Sequence, residues 1–149
     1  MKSDRVAVVV SRFNEDVTYK MLLSCVETLK AKGLKAERLR VVHVPGGFEI
    51  PWAVQELALT KKYAVVIALG CILKGETPQN EHMARSTVQL LQRIGVATRV
   101  PVILGVITPD THEQAVARTE GELDRGKESA LAALDMLRLR KAIHARSHG

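Results

Sequence analysis

The stretch AVVIALGCILKGETPQNEHMAR, residues 64 to 85, decides the fold. Its first third is a near-continuous apolar run rich in Val and Ile, as expected of a parallel strand buried on both faces. Thr77 then stands where a helix N-cap is wanted, with Pro78 at the first helical position. Ala84, Val88, Leu91 and Ile94 follow at helical spacing, which predicts a helix over about 79–97. Strand, turn and helix in that order make a crossover unit rather than a hairpin.

The same alternation recurs outward from this stretch. RVAVVV at 5–10 and VPVILGVIT at 100–108 read as further buried strands, and AERLRVVHV at 36–44 reads as a strand nearer an edge because its first half alternates. Val17, Met21, Cys25 and Leu29 recur every four positions, so 15–32 is expected to be an amphipathic helix closed by Gly33. Pro51 with Ala53, Val54, Leu57 and Ala58 predicts a helix over about 49–60, with proline tolerated in its first turn. A short helical segment from Thr111 to about Arg118 and a long one over about 125–143 complete the chain. Strand and helix alternating four times predict an α/β fold, a parallel sheet covered on both faces with right-handed crossovers. With 149 residues, one domain over 1–149 is expected.

Composition narrows the function. Apolar residues make up 46% and charged residues 26%, the profile of a folded globular chain. No apolar run approaches ~20 residues, and Asp4 interrupts any signal-like N-terminus, so a cytoplasmic protein without a membrane partner is expected. Cys25 and Cys71 have no CxxC or Cys/His companion, which suggests neither a metal site nor a disulfide framework. Of the +6 formal charge, Arg138, Arg140, Lys141 and Arg146 contribute four beyond the last acid, Asp135, leaving +2 for the rest. That location predicts a solvated, frayed basic tail over 138–149. With 3% aromatics there is no stacking platform for single strands, so a nucleic-acid partner is not expected.

In open parallel sheets ligands bind beyond the carboxyl ends of the strands, and the loops there carry the chemistry. In SRFNEDVT, Phe13 sits in a turn, either as a surface ring or as a platform for a planar ligand. In VPGGFEIP, Gly46 and Gly47 allow close approach and put Phe48 and Glu49 at a helix start, where the carboxylate either complements the helix dipole or accepts from a hydroxyl-rich ligand. In GCILKGETP, Gly75 and the following helix N-terminus could seat a phosphate, although neither a Walker A loop nor GxGxxG is present. After the fourth strand, His112 opens a helix and Arg118 lies toward its end, a solvated arginine unless something else recruits it.

Taken together, SRFNEDVT, VPGGFEIP, GCILKGETP, VPVILGVIT and HEQAVAR resemble the motifs of the lumazine synthase family, in family order and spacing, over nearly the whole chain. The resemblance implies a flavodoxin-like three-layer α/β/α sandwich with a four-stranded parallel sheet, and homopentamers that in some members close into icosahedral shells. It implies condensation of 5-amino-6-ribitylaminouracil with 3,4-dihydroxy-2-butanone 4-phosphate to 6,7-dimethyl-8-ribityllumazine, releasing phosphate and water, a transferase step of riboflavin biosynthesis with no metal and no cofactor. Carried over by motif, Phe13 stacks on the pyrimidine, Gly47, Phe48 and Glu49 hold the ribityl chain, and Cys71, Ile72 and Leu73 edge the ring. Gly75, Glu76 and Thr77 form the phosphate seat, and Arg118 reaches it from an adjacent subunit.

Three departures from the family pattern follow. Leu104 stands where the family has a phenylalanine. RTEGELDRGK replaces a loop one residue longer, so Arg125 is expected to represent the family's phosphate lysine and Glu128 its acidic neighbour. Gln79 occupies the position of the family's catalytic histidine, and a neutral amide cannot shuttle a proton. His82, one turn further along the same helix face, is the candidate replacement. The rival expectation is a non-catalytic shell-forming or flavin-binding relative that kept the pocket and lost its proton carrier. The chain also begins only a few residues before its first strand, without the N-terminal strand many members lay on the adjacent sheet, which leaves pentamer and shell both open.

Overall fold

The computed structural model describes residues 4–147. Val6–Ser11, six residues buried from end to end, form β1 at the interior of the sheet. β2 (Leu39–Val44) and β3 (Val65–Cys71) flank it, and β4 (Val102–Ile107) pairs with β3, giving the order β2-β1-β3-β4. All three pairings are parallel, with Val6 opposite both Leu39 and Val65 and Ala68 opposite Leu104. The all-parallel four-stranded sheet flanked by helices is the architecture expected from the sequence. β2 takes an edge, which explains its polar positions: Arg40 and His43 are exposed while Val44 is buried.

The period of two divides β1 between two cores. Val6, Val8 and Val10 pack with α1 (Glu15–Ala31) and α5 (Arg125–Ser147), and Ala115 of α4 (His112–Ala117) joins that layer. Ala7 and Val9 pack with α2 (Ile50–Leu59) and α3 (Pro78–Thr98) on the other face. Each fully buried valine contributes on the order of 1.5–3 kcal/mol. α1 ends as the sequence suggests: Gly33, at φ 104°, allows its own N–H to bond Lys30 O and Leu34 N–H to bond Leu29 O, both at 3.0 Å.

Two expectations are corrected. Residues 36–38 form a 3-10 turn, closed by Arg38 N–H on Lys35 O at 2.9 Å, and the strand begins only at Leu39, where pairing with β1 begins. The basic segment expected to fray is helical through Ser147. Arg138 pairs with Asp135 at 2.6 Å, Arg140 donates to Ala64 O at 3.1 Å and Lys141 pairs with Asp4. These ties hold the last turns at the amino ends of the strands, away from the loops that carry the motifs. Among the described residues no helix is long and apolar enough to cross a membrane.

Candidate active site

The loops after β1, β2 and β3 meet at the carboxyl end of the sheet. Arg12 N–H and Phe13 N–H donate to Val44 O and Pro45 O at 2.9 and 3.0 Å, which lays the first loop on the second. Asn14 adopts the left-handed conformation, φ 62°, and its Nδ2 donates to Cys71 O at 3.0 Å, tying the first loop to the end of β3. Gly47 is buried so closely that a Cβ there would lie 2.9 Å from Ile72 Cδ1. Out of this backbone-locked base project two aromatic rings, Phe13 at 63% and Phe48 at 76% exposure. Rings so uncovered leave their faces free for a planar partner.

Glu49 is half-buried, and its Oε1 accepts from Gly46 N–H at 3.0 Å. That bond uses one carboxylate oxygen and leaves Oε2 as an acceptor. Cys71, Ile72 and Leu73 are buried as a wall beside it. Burial, with Asp16 and Glu76 adding repulsion, pushes the Cys71 thiol up to about 12. It therefore stays protonated near neutrality and is no nucleophile.

The turn from Lys74 to Thr77 is pressed on the loop after β4. Lys74 N–H bonds Pro109 O at 2.9 Å, and a Cβ on Gly75 would sit 2.1 Å from Asp110 O. Gly75 thus serves a close backbone approach within the chain. Thr77 is the N-cap of α3 and accepts from Asn80 N–H at 3.1 Å, with Pro78 following it. Pro78 has no N–H and that of Asn80 is taken, so helix geometry leaves the Thr77 and Gln79 N–H groups available to an anion. Glu76, Thr77, Gln79 and His82 are all exposed around this helix start. His82 lies one turn beyond Gln79, as expected.

A second group lies on the flank of β4. Arg125 donates through Nε and Nη2 to Leu104 O at 3.2 and 2.9 Å, and its Nη1 meets Glu128 Oε2 at 3.5 Å. The fork covers an open carbonyl of the edge strand, so this guanidinium is already engaged. Arg118 donates through Nε to Leu123 O at 3.1 Å and meets the same Glu128 oxygen at 3.8 Å. Leu104, with Ala132 and Met136, lines a groove of about 420 Å³ between β4 and α5. Among the described residues no hydrogen bond or ion pair joins Arg118, Arg125 or Glu128 to Phe13, Glu49, Thr77 or Gln79. The structure thus brings together the expected residues in two groups rather than one. Sequence reading missed Asn14 and Asn80. Asn14 was legible as the residue type that most readily takes positive φ before a helix, and Asn80 as a polar residue three positions after an N-cap.

Residues 3–141 match the family described as 6,7-dimethyl-8-ribityllumazine synthase. A protein of Salinibacter ruber (strain DSM 13855 / M31) named 6,7-dimethyl-8-ribityllumazine synthase is 40% identical over 136 residues, 91% of this chain and 87% of that protein. The match therefore runs through both groups of residues, and the chain belongs to the 6,7-dimethyl-8-ribityllumazine synthase family.

Proposed function

We propose that the chain joins 5-amino-6-ribitylaminouracil to 3,4-dihydroxy-2-butanone 4-phosphate, forming 6,7-dimethyl-8-ribityllumazine with release of phosphate and water. The observation that carries this reading is the seating of two exposed rings, a half-buried carboxylate and an open helix N-terminus around one strand end. A flat pyrimidine stacks on Phe13 against the edge formed by Cys71, Ile72 and Leu73. Its ribityl hydroxyls reach Gly47, Phe48 and the free oxygen of Glu49. The amino group of the pyrimidine acts as the nucleophile, and the nearby thiol, held protonated, does not compete with it.

The phosphate of the second substrate sits at Gly75, Glu76 and Thr77, stabilised by the N–H groups and dipole of α3. It still needs a cation. Arg125 is occupied by Leu104 O and Glu128, so Arg118 is the better candidate. Arg118 is only loosely paired, and a surface ion pair at 3.8 Å is worth ~0–1 kcal/mol against ~1.5–3 kcal/mol for a charge-assisted phosphate contact. Phosphate wins that exchange. Proton transfer falls to His82, with Gln79 as a hydrogen-bonding neighbour.

Because no hydrogen bond or ion pair joins Arg118 to Thr77 among the described residues, we read the site as completed by the β4 flank of a neighbouring copy. We read the assembly as a pentamer or a multiple of pentamers. Phe48 at 76%, Trp52 at 69% and Leu90 at 45% exposure, beside a groove of about 310 Å³ between α2 and α3, offer the apolar surface for such contacts. The test is purified protein mixed with both substrates, followed by lumazine fluorescence and by sedimentation. Product formed by an oligomer is expected; an active monomer would refute the shared site, and absence of product the reaction.

A further inference from the structure

Both seats of the proposed site hang on the turn between β3 and α3. The pyrimidine edge is its first part, Cys71 to Leu73, and the phosphate seat is its last, Gly75 to Thr77. One residue spans the two, with its side chain on one and its backbone on the other. Asn80 Nδ2 donates to Leu73 O at 2.9 Å, while the backbone N–H of Asn80 is held by Thr77 Oγ1 at 3.1 Å. In a capping box a Glu or Gln at the third helical position turns its side chain back on the N-cap N–H. Here it reaches out of the helix to the strand end instead, and only its NH2 group can face a carbonyl, which fixes the orientation of the amide. Leu73 O also accepts from Glu76 N–H, at the longer distance of 3.3 Å.

Resting on the reaction proposed above, we propose that Asn80 is a positioning residue that sets the distance between the pyrimidine seat and the phosphate seat. It touches neither substrate. Through Leu73 it fixes the wall against which the pyrimidine lies, and through Thr77 it fixes where the helix start meets the phosphate. Half-buried behind the turn, it joins the two as a strut. Each substrate binds its own seat whether or not the strut is present. The bond-forming step depends on their relative placement, and a misplacement of ~1 Å can cost ~10²-fold in rate.

Asn80→Asp tests this in the assembled enzyme. The substitution keeps the shape but sets an acceptor against the Leu73 carbonyl, and a carboxylate in the first turn of a helix is favoured by the dipole, so the fold should hold. The expected result is a kcat lowered by about 10- to 100-fold, with the KM of each substrate moving by less than about threefold. Titration of 5-amino-6-ribitylaminouracil alone should give an unchanged affinity, a split that general destabilisation would not produce. Asn80→Ala, which removes the donor without adding repulsion, should move kcat in the same direction by less. Unchanged kcat in both variants would overturn the inference, as would a large rise in one substrate's KM with kcat intact. A wild-type enzyme that makes no lumazine would take down the reaction itself, whereas an active wild type leaves only the role of Asn80 at stake.

Discussion

The loops after β1, β2 and β3 and the flank of β4 handle their functional side chains in opposite ways. In the first region the backbone is locked, by Asn14 on Cys71 O and Asn80 on Leu73 O, while Phe13, Phe48, Gln79 and His82 stand exposed. In the second the side chains meet one another: Arg125 grips Leu104 O and Glu128, and Arg118 approaches the same Glu128 oxygen more loosely, at 3.8 Å. The first region has shape and an open helix start; the second gathers two cations on one carboxylate beside the groove between β4 and α5. The proposed shared site draws on this contrast, taking shape from one region and a cation from the other.

The largest effect is expected where the first region carries chemistry rather than shape. His82→Ala should lower kcat by ~10²- to 10⁴-fold with little change in pyrimidine affinity, read from steady-state rates across pH. An unchanged kcat and pH profile would leave that region with positioning alone, and Gln79→His should then run faster than wild type.

A smaller effect should separate the two cations of the second region. Arg118→Ala should raise the KM of the phosphate-bearing substrate by ~10- to 150-fold, the equivalent of ~1.5–3 kcal/mol, and leave the pyrimidine KM unchanged. Arg125→Ala, which frees Leu104 O at the sheet edge, should disturb phosphate affinity far less. Equal weakening of both substrates in Arg118→Ala would break the division between the regions.

The first region was the more legible in sequence, because glycines, an N-cap threonine and exposed aromatics in loops report local backbone needs. GETP announces a helix start whatever surrounds it, and the strand of 64–71 shows its burial by being apolar throughout. The second region was not legible in the same way. Arg125 opens α5 just after a loop, and its hold on Leu104 O spans 21 positions, which no local pattern encodes. The helical end of α5 escaped for the same reason: its basic run reads as solvated until Ala64 O and Asp4 supply partners from distant parts of the chain.

The smallest expected effect probes a short but exposed side-chain bond that runs between the regions within a chain. Asp16 opens α1 just after the Phe13 loop, His112 opens α4, which leads to Arg118, and Asp16 Oδ2 meets His112 Nε2 at 2.7 Å. The two side chains are 60% and 55% exposed, so the pair should contribute only ~0.2–1 kcal/mol and fade in salt. The hydrogen bond from His112 holds the Asp16 carboxyl below its ordinary 3.8, against a smaller upward push from desolvation. A lowered folded-state value means that this stability is present above pH 3.8 and is lost as pH falls through the lowered value. Asp16→Asn should therefore cost less than ~1 kcal/mol near neutrality and soften the acid limb of the unfolding curve below pH 3.8. Its phosphate KM should stay within about twofold of wild type, because a bond this weak cannot govern a charge-assisted contact. If Asp16→Asn instead raised that KM as far as Arg118→Ala does, the two regions would be coupled through a single chain, and the argument for a site shared between copies would lose its footing.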